Sequence, residues 1–303
     1  MAKKKGKAKA IIIGVSVGLV AVLTLGIAAS VTKGFKVNPA KSTAKGLEYT
    51  ELSDGTYSVS GTDATLEKIV IPKEYKGEPV TAIADNAFSG YYSLEYVVIP
   101  KTIDVIGANA FTDCYTLAEI EIPNGVKTIG ASAFENCTSM KKATMEESVK
   151  EIGARAFASC SMLEKVELPK YLEAIASETF IDCVNLDEVS FPTYLTEIGA
   201  SAFKNAVNLS SVKFSAELKT IGANAFENCR QLTKVTVTKN VAAIGDNAFL
   251  GCARLAAVVN NSDLDIVLGA DTHGMVAKYA ETLNGKTAEE IAEEAEKEET
   301  EAA

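Results

Sequence analysis

Few residues in this chain are of types that do chemistry, and their placement limits what they do. Cys114, Cys137, Cys160, Cys183, Cys229 and Cys252 each lie three residues after a phenylalanine. The equivalent position holds Ala206 in one stretch and Tyr91 in another. A position that accepts alanine does not demand a disulfide, and a bridge needs Cβ atoms about 3.8 Å apart, closer than stacked strands bring them. The spacing predicts a buried ladder of free thiols acting as small hydrophobes. No histidine or carboxylate column accompanies the thiols, so no metal is expected there. His273 is the only histidine. A Cys–His nucleophile would need it beside a thiolate, yet Cys252, nearest in sequence, belongs to the buried set. It reads as a turn residue near a helix start. Asp263 and Asp265 hint at a calcium loop, but the glycine and closing glutamate are missing. No phosphate loop, dinucleotide fingerprint or zinc signature occurs. The chain reads as a non-enzyme without a cofactor.

Tyrosine offers a second chemistry, recognition, because its ring is a large rigid contact with a polar tip. Tyr171 and Tyr194 lie 23 residues apart, as do Tyr92 and Tyr115. That interval governs the whole middle of the chain. Phe88, Phe111, Phe134, Phe157, Phe180, Phe203, Phe226 and Phe249 keep it without one insertion or deletion. Five residues before each phenylalanine stands an isoleucine, from Ile83 to Ile244. The isoleucine is followed by glycine in six copies and by Ala84 and Ala176 in the other two. Alanine precedes the phenylalanine in every copy except the fifth, which has Thr179. Such a fixed period is the signature of a solenoid.

The second copy, IGANAFTDCYTLAEIEIPNGV, shows what one coil must contain. Ile120-Glu121-Ile122 alternates as a half-buried strand does, and a proline follows the strand in four copies. A second short extended piece, residues 126–129, leads to the glycine turn. The A-F-x-x-C segment has helical spacing for about one turn, and a turn-forming residue stands two places after each phenylalanine. One such coil cannot hide its own apolar residues, so the coils must stack, with their strands in one continuous parallel sheet. Outward columns of that sheet carry mixed charges, with Tyr96 among them. Tyr171 and Tyr194 share a post-strand column. The pair reads either as a flat platform for a sugar ring or peptide, with Tyr96 as a secondary contact, or as packing over the bends after Pro169 and Pro192.

Covers close both ends. Residues 47–79 read as a cap, a hairpin followed by an irregular first coil, before the solenoid at 80–264. Residues 265–285 form a second cap, in which Met275, Val276, Tyr279, Ala280 and Leu283 make a helical stripe ending at Asn284-Gly285. The tail, 286–303, holds eight glutamates and two lysines and starts with a Thr287–Glu290 capping box. Its composition predicts a frayed or disordered segment.

The copies, in YKGEPVTAIADNAFSG (75–90) and VKTIGASAFENC (126–137) above all, resemble the BspA-like class of leucine-rich repeats. That class is found on surfaces of bacteria and some protozoa, and the likeness covers about residues 47–283. It implies a right-handed solenoid that binds or adheres, and it leaves the ligand open. The front of the chain agrees with display outside a cell. Residues 1–9 contain five lysines and no acid, and 10–32 are uncharged and bilayer-length. The lysines place that end in the cytoplasm, and 33–46 read as a linker. A cleaved signal peptide, with Ala28-Ala29-Ser30 at its site, is the other reading; the length of the run favours an anchor, and cleavage would make the protein secreted. A net charge of −10 argues against nucleic acid as a partner. The expectation is a single-pass membrane protein presenting its solenoid to an extracellular protein or glycan, the alternative a structural envelope or wall component without a discrete ligand.

Overall fold

The computed structural model describes residues 46–302; the basic segment, the anchor or signal sequence and nearly all of the linker lie outside the described residues. Among the described residues no helix is long and apolar enough to cross a membrane.

A regular coil has two strands. In the second copy, Glu119–Ile122 alternates, with Ile120 and Ile122 inward. After the bend at Pro123 the chain forms the two-residue strand Thr128–Ile129. Both pair in parallel with their counterparts one period on, Ile120 with Ala143 and Ile129 with Ile152.

The third side of the coil is not the expected helical turn. The residues two before and two after every repeat phenylalanine have φ between 55° and 77°. A right-handed helix does not pass through left-handed residues. The amides therefore alternate. Phe134 and Asn136 N–H donate to Ala156 O and Ala158 O of the next copy at 2.8 and 2.9 Å. Ala133, Glu135 and Cys137 N–H close β-turns onto the third residue back, at 3.3, 3.1 and 3.2 Å. These donors are thus satisfied without a helix. Most left-handed positions hold Asn, Asp, Ser or Gly, which tolerate that backbone. Arg155 and Glu178 do not favour it, but they pair with each other across the coils, and Arg155 also pairs with Glu135 at 2.6 Å.

Inside, the eight phenylalanines are fully buried and stack with ring centroids 5.2–5.6 Å apart. The six thiols are buried and free, as their spacing predicts. Each Sγ donates to the carbonyl of the preceding copy's phenylalanine at 3.1–3.3 Å. Burial pushes Cys114, Cys160 and Cys252 up to about 12 and the other three well above the usual thiol range.

At the front, Leu47–Glu51 and Tyr57–Gly61 form the expected antiparallel hairpin. Tyr57–Gly61 then begins the short-strand ladder by pairing with Glu78–Ile83. Lys68–Val70 supplies the first long strand, against Tyr96–Val98. At the far end the expected helix is replaced by one more irregular coil. His273, Gly274 and Met275 all have positive φ, of 46°, 64° and 63°, which leaves only a three-residue 3-10 turn. Gly274 O takes the Phe249 N–H at 2.8 Å, as a repeat alanine would, and Thr282–Leu283 pairs in parallel with Ala257–Val258. The stripe from Met275 to Leu283 serves this coil as well as it would serve a helix. The acidic tail forms a helix, Ala288–Ala302, begun by the Thr287–Glu290 box, with Thr287 N–H donating to Glu290 Oε2 at 2.8 Å.

Candidate ligand surface around the fifth copy

The glycine after each short strand lies against the backbone of the coil before it. A Cβ on Gly130 would stand 2.5 Å from Ala108 N and 2.6 Å from Gly107 C, and backbone at that distance must move. The fifth copy puts Ala176 in this position. On the sides that follow the rule, Gly153 N–H reaches Ile129 O and Gly199 N–H reaches Ile175 O, both at 2.8 Å. Ala176 N–H has no such bond to Ile152 O, nor Glu173 N–H to Lys150 O, and the short-strand ladder breaks between Glu151–Ile152 and Ala174–Ile175. Ala84, the other alanine in this slot, faces the terminal hairpin and keeps its bond to Val59 O at 3.0 Å.

Thr179, the other departure from the repeat, sits in the same coil, buried, with Oγ1 donating to Ala176 O at 2.8 Å. The Phe157–Phe180 step, at 5.6 Å, is the widest in the ring stack. The opening is one-sided. Lys165–Glu167 still pairs with Glu188–Ser190, and Phe157 N–H still donates to Thr179 O at 2.9 Å. The result is a groove of about 660 Å³ on the short-strand face, lined by Glu147, Lys150, Glu151, Tyr171, Glu173 and Ala176 among others.

The ladder on the opposite strand face breaks between Tyr96–Val98 and Glu119–Ile122, and again one coil on from Ala176. The inward slot that holds Ile122, Leu168 or Val237 in other copies holds Phe191 and Phe214 here. These rings meet edge-on at 5.8 Å. Two aromatics in an aliphatic slot spread the backbone, and residues 210–214 form no strand although their neighbours Glu188–Ser190 and Lys234–Val237 do. The expected continuous sheet is therefore interrupted. The gap is a groove of about 320 Å³ between Phe191–Tyr194 and Lys213–Glu217.

Tyr171 and Tyr194 stand between the two grooves. Their rings stack at 5.6 Å and 9°, with the residues 53% and 45% exposed. Face-to-face stacking turns edges and hydroxyls outward, so the pair is not a flat platform. Tyr171 lines the larger groove and Tyr194 the smaller. Lys170 Nζ lies 5.2 Å from the Tyr171 centroid, and Lys170 N–H donates to Glu147 Oε2 at 3.0 Å. Tyr96 is not brought to this pair. It lies part-buried in the first copy's long strand, where burial and then Glu121 and Glu119 push its phenol above the ordinary value. Tyr92 and Tyr115 stack likewise at 5.3 Å, far along the coil from the bends. The sequence reading missed Ala176 as a site residue; its signal was the alanine in a glycine column.

Stacked coils with a leucine slot, a phenylalanine spine and parallel strands define a leucine-rich-repeat solenoid. Residues 81–206 and 150–268 match the BspA type leucine-rich repeat region, and the chain belongs to that family. No curated protein matches it in sequence. Among solved structures it is similar to the T. pallidum leucine-rich repeat protein TpLRR, with 27% identity and a TM-score of 0.52 over 70% of this chain and 89% of that one. A leucine-rich repeat protein from Bacteroides ovatus is 24% identical at a TM-score of 0.48, over 72% and 70% of the two chains. A leucine-rich cell surface protein from Faecalibacterium prausnitzii is 18% identical at 0.37, over 82% and 96%.

Proposed function

We propose that this protein is a cell-surface binding or adhesion protein whose solenoid recognises an extracellular protein or glycan at the Tyr171–Tyr194 stack and its two grooves. It acts by binding alone, without catalysis. The observation that carries this reading is the exposed ring pair flanked by two grooves in the stack. Recognition concentrates on large rigid side chains beside concave surface, and the coil-forming residues are fully committed to the core. Replacing both rings, Tyr171→Ser with Tyr194→Ser, is expected to weaken capture of the extracellular ligand at least tenfold, about 1.4 kcal/mol. The melting temperature should hardly change. Unchanged affinity with a lowered melting temperature would make the rings packing residues.

The same reading assigns residues 10–32 to a membrane anchor, supported by the lysine cluster and the uncharged run. Protease added to intact cells should digest the repeats and leave the N terminus protected. Release of the whole repeat domain with a new N terminus near Val31 would replace the anchor by a signal peptide.

A further inference from the structure

We propose that the Leu47–Glu51 strand is a self-association edge, where two copies of this chain pair antiparallel about a twofold axis at Tyr49. The terminal hairpin leaves that edge open. Thr62 N–H donates to Gly46 O at 2.9 Å and Leu52 N–H to Thr56 O at 2.7 Å, which sets the phase of the ladder between Leu47–Glu51 and Tyr57–Gly61. Bonded pairs alternate in an antiparallel ladder, so Glu48 and Thr50 bond to Ser60 and Ser58. Leu47, Tyr49 and Glu51 turn their N–H and C=O groups the other way, and no hydrogen bond reaches them from any described residue. Natural edges are blunted by lysine, proline or a bulge. Leu47-Glu48-Tyr49-Thr50-Glu51 has none of these.

The occupant follows from the pattern of the edge. With the axis at Tyr49, Tyr49 bonds the partner's Tyr49 and Leu47 bonds the partner's Glu51, so every open donor and acceptor on both edges is used. In the same register Glu48 faces the partner's Thr50 and Glu51 faces the partner's Leu47. No carboxylate lies opposite another, an arrangement that would be destabilising. Head-to-tail stacking along this ladder is closed off at the far end. Ala243–Ile244 lies under the His273–Met275 turn, where a Cβ on Gly274 would stand 2.6 Å from Gly245 O and 2.7 Å from Ile244 Cγ2. A closed twofold pair is the symmetry that remains.

Tethering favours a second copy over a foreign strand. The same linker, 33–46, precedes the strand in every copy, so copies in one membrane present it at one height and at high effective concentration. In the pair the two strand starts lie about 14 Å apart, within the reach of about 45 Å that each linker has. This point rests on the anchor reading above; the open edge does not.

The test uses the full chain in detergent micelles. Sedimentation over a dilution series should show a monomer–dimer equilibrium. Glu51→Pro removes one outward donor from each copy and should weaken the dimer at least tenfold. The six buried thiols should stay unreactive in that variant, which shows that it is folded. Thr50→Glu sets a carboxylate against the partner's Glu48 and should weaken the dimer about fivefold, whereas Thr50→Lys should not weaken it. Glu48→Cys protein mixed with Thr50→Cys protein should form a disulfide dimer under diamide, and neither should do so alone, because only Glu48 and the partner's Thr50 face each other. A monomer at every concentration would overturn the pairing and leave the edge to a strand from another protein. A dimer indifferent to Glu51→Pro, or cross-linking of the mixture no better than of either protein alone, would overturn it as well.

Discussion

Gly130→Ala is expected to destabilise the solenoid by about 3 kcal/mol, from a change of one methyl group. The new Cβ would meet Ala108 N, Gly107 C and Ala108 Cα at 2.5, 2.6 and 2.8 Å, all of them backbone. Overpacking of this kind costs about 1–3 kcal/mol. Parting the coils also endangers the Gly130 N–H bond to Ile106 O, now 2.8 Å, and a lost bond with a buried partner left unpaired costs about 1–3 kcal/mol. Against this, alanine lowers the entropy of the unfolded chain and returns about 0.4–1 kcal/mol. The check is the urea midpoint of Gly130→Ala beside that of Ala176→Gly, which should move the other way or not at all. A shift below about 0.5 kcal/mol for Gly130→Ala would mean that a Cβ does not part these coils.

Alkaline unfolding should be steep and should depend on the cysteines. A buried thiol is held in its protonated form, so its folded value lies above the unfolded one of about 8.5. Stability from such a group is complete below the unfolded value and is lost as pH rises toward the folded value. For Cys114, Cys160 and Cys252 the window runs from about 8.5 up to about 12. Within it each thiol removes about 1.4 kcal/mol per pH unit, so these three together remove about 4. A domain holding about 5–15 kcal/mol would exhaust that reserve within a few units. Melting temperatures between pH 7 and 11 test this. Cys160→Ala should lower stability by about 1 kcal/mol at pH 7, as a small cavity with a lost sulfur bond does, and flatten the alkaline slope by one thiol's share. Six sulfhydryls should titrate in denaturant without reductant and essentially none in the native protein. Stability that stays level to pH 11 would contradict the burial of the ladder.

The period of 23 was legible because one phenylalanine and one isoleucine mark every coil. From it followed the strand, the short strand, the thiol ladder and the Tyr171–Tyr194 stack. Side-chain spacing could not separate a helical turn from a run of β-turns, since both place alanine, phenylalanine and cysteine inward. What decides is the backbone sign two residues before each phenylalanine, and Arg155 and Glu178 disguise that position. The cap at Met275–Leu283 misled for a related reason: a stripe at three- and four-residue intervals suits a solenoid bend too. The grooves were hidden because they arise from bonds that are not made. Ala176 and Thr179 stand out as exceptions in their columns, but their meaning needs the distance between successive coils. Phe191 and Phe214 share a slot that holds Ile99, Ile122, Leu168 or Val237 in other copies, and only the fold shows that it is one slot.

The missing bonds beside Ala176 also bear on how the solenoid carries load. Coils stacked end to end act as links in series, so a pull along the axis reaches every junction with the same force. Extension then concentrates where the fewest hydrogen bonds must rupture. One such junction lies between the fourth and fifth copies, where one of three faces is unpaired and the Arg155–Glu178 ion pair bridges another. Others lie on the opposite face, between Tyr96–Val98 and Glu119–Ile122 and at residues 210–214. A tether under shear would therefore stretch at a few junctions rather than evenly, and two of them flank the tyrosines.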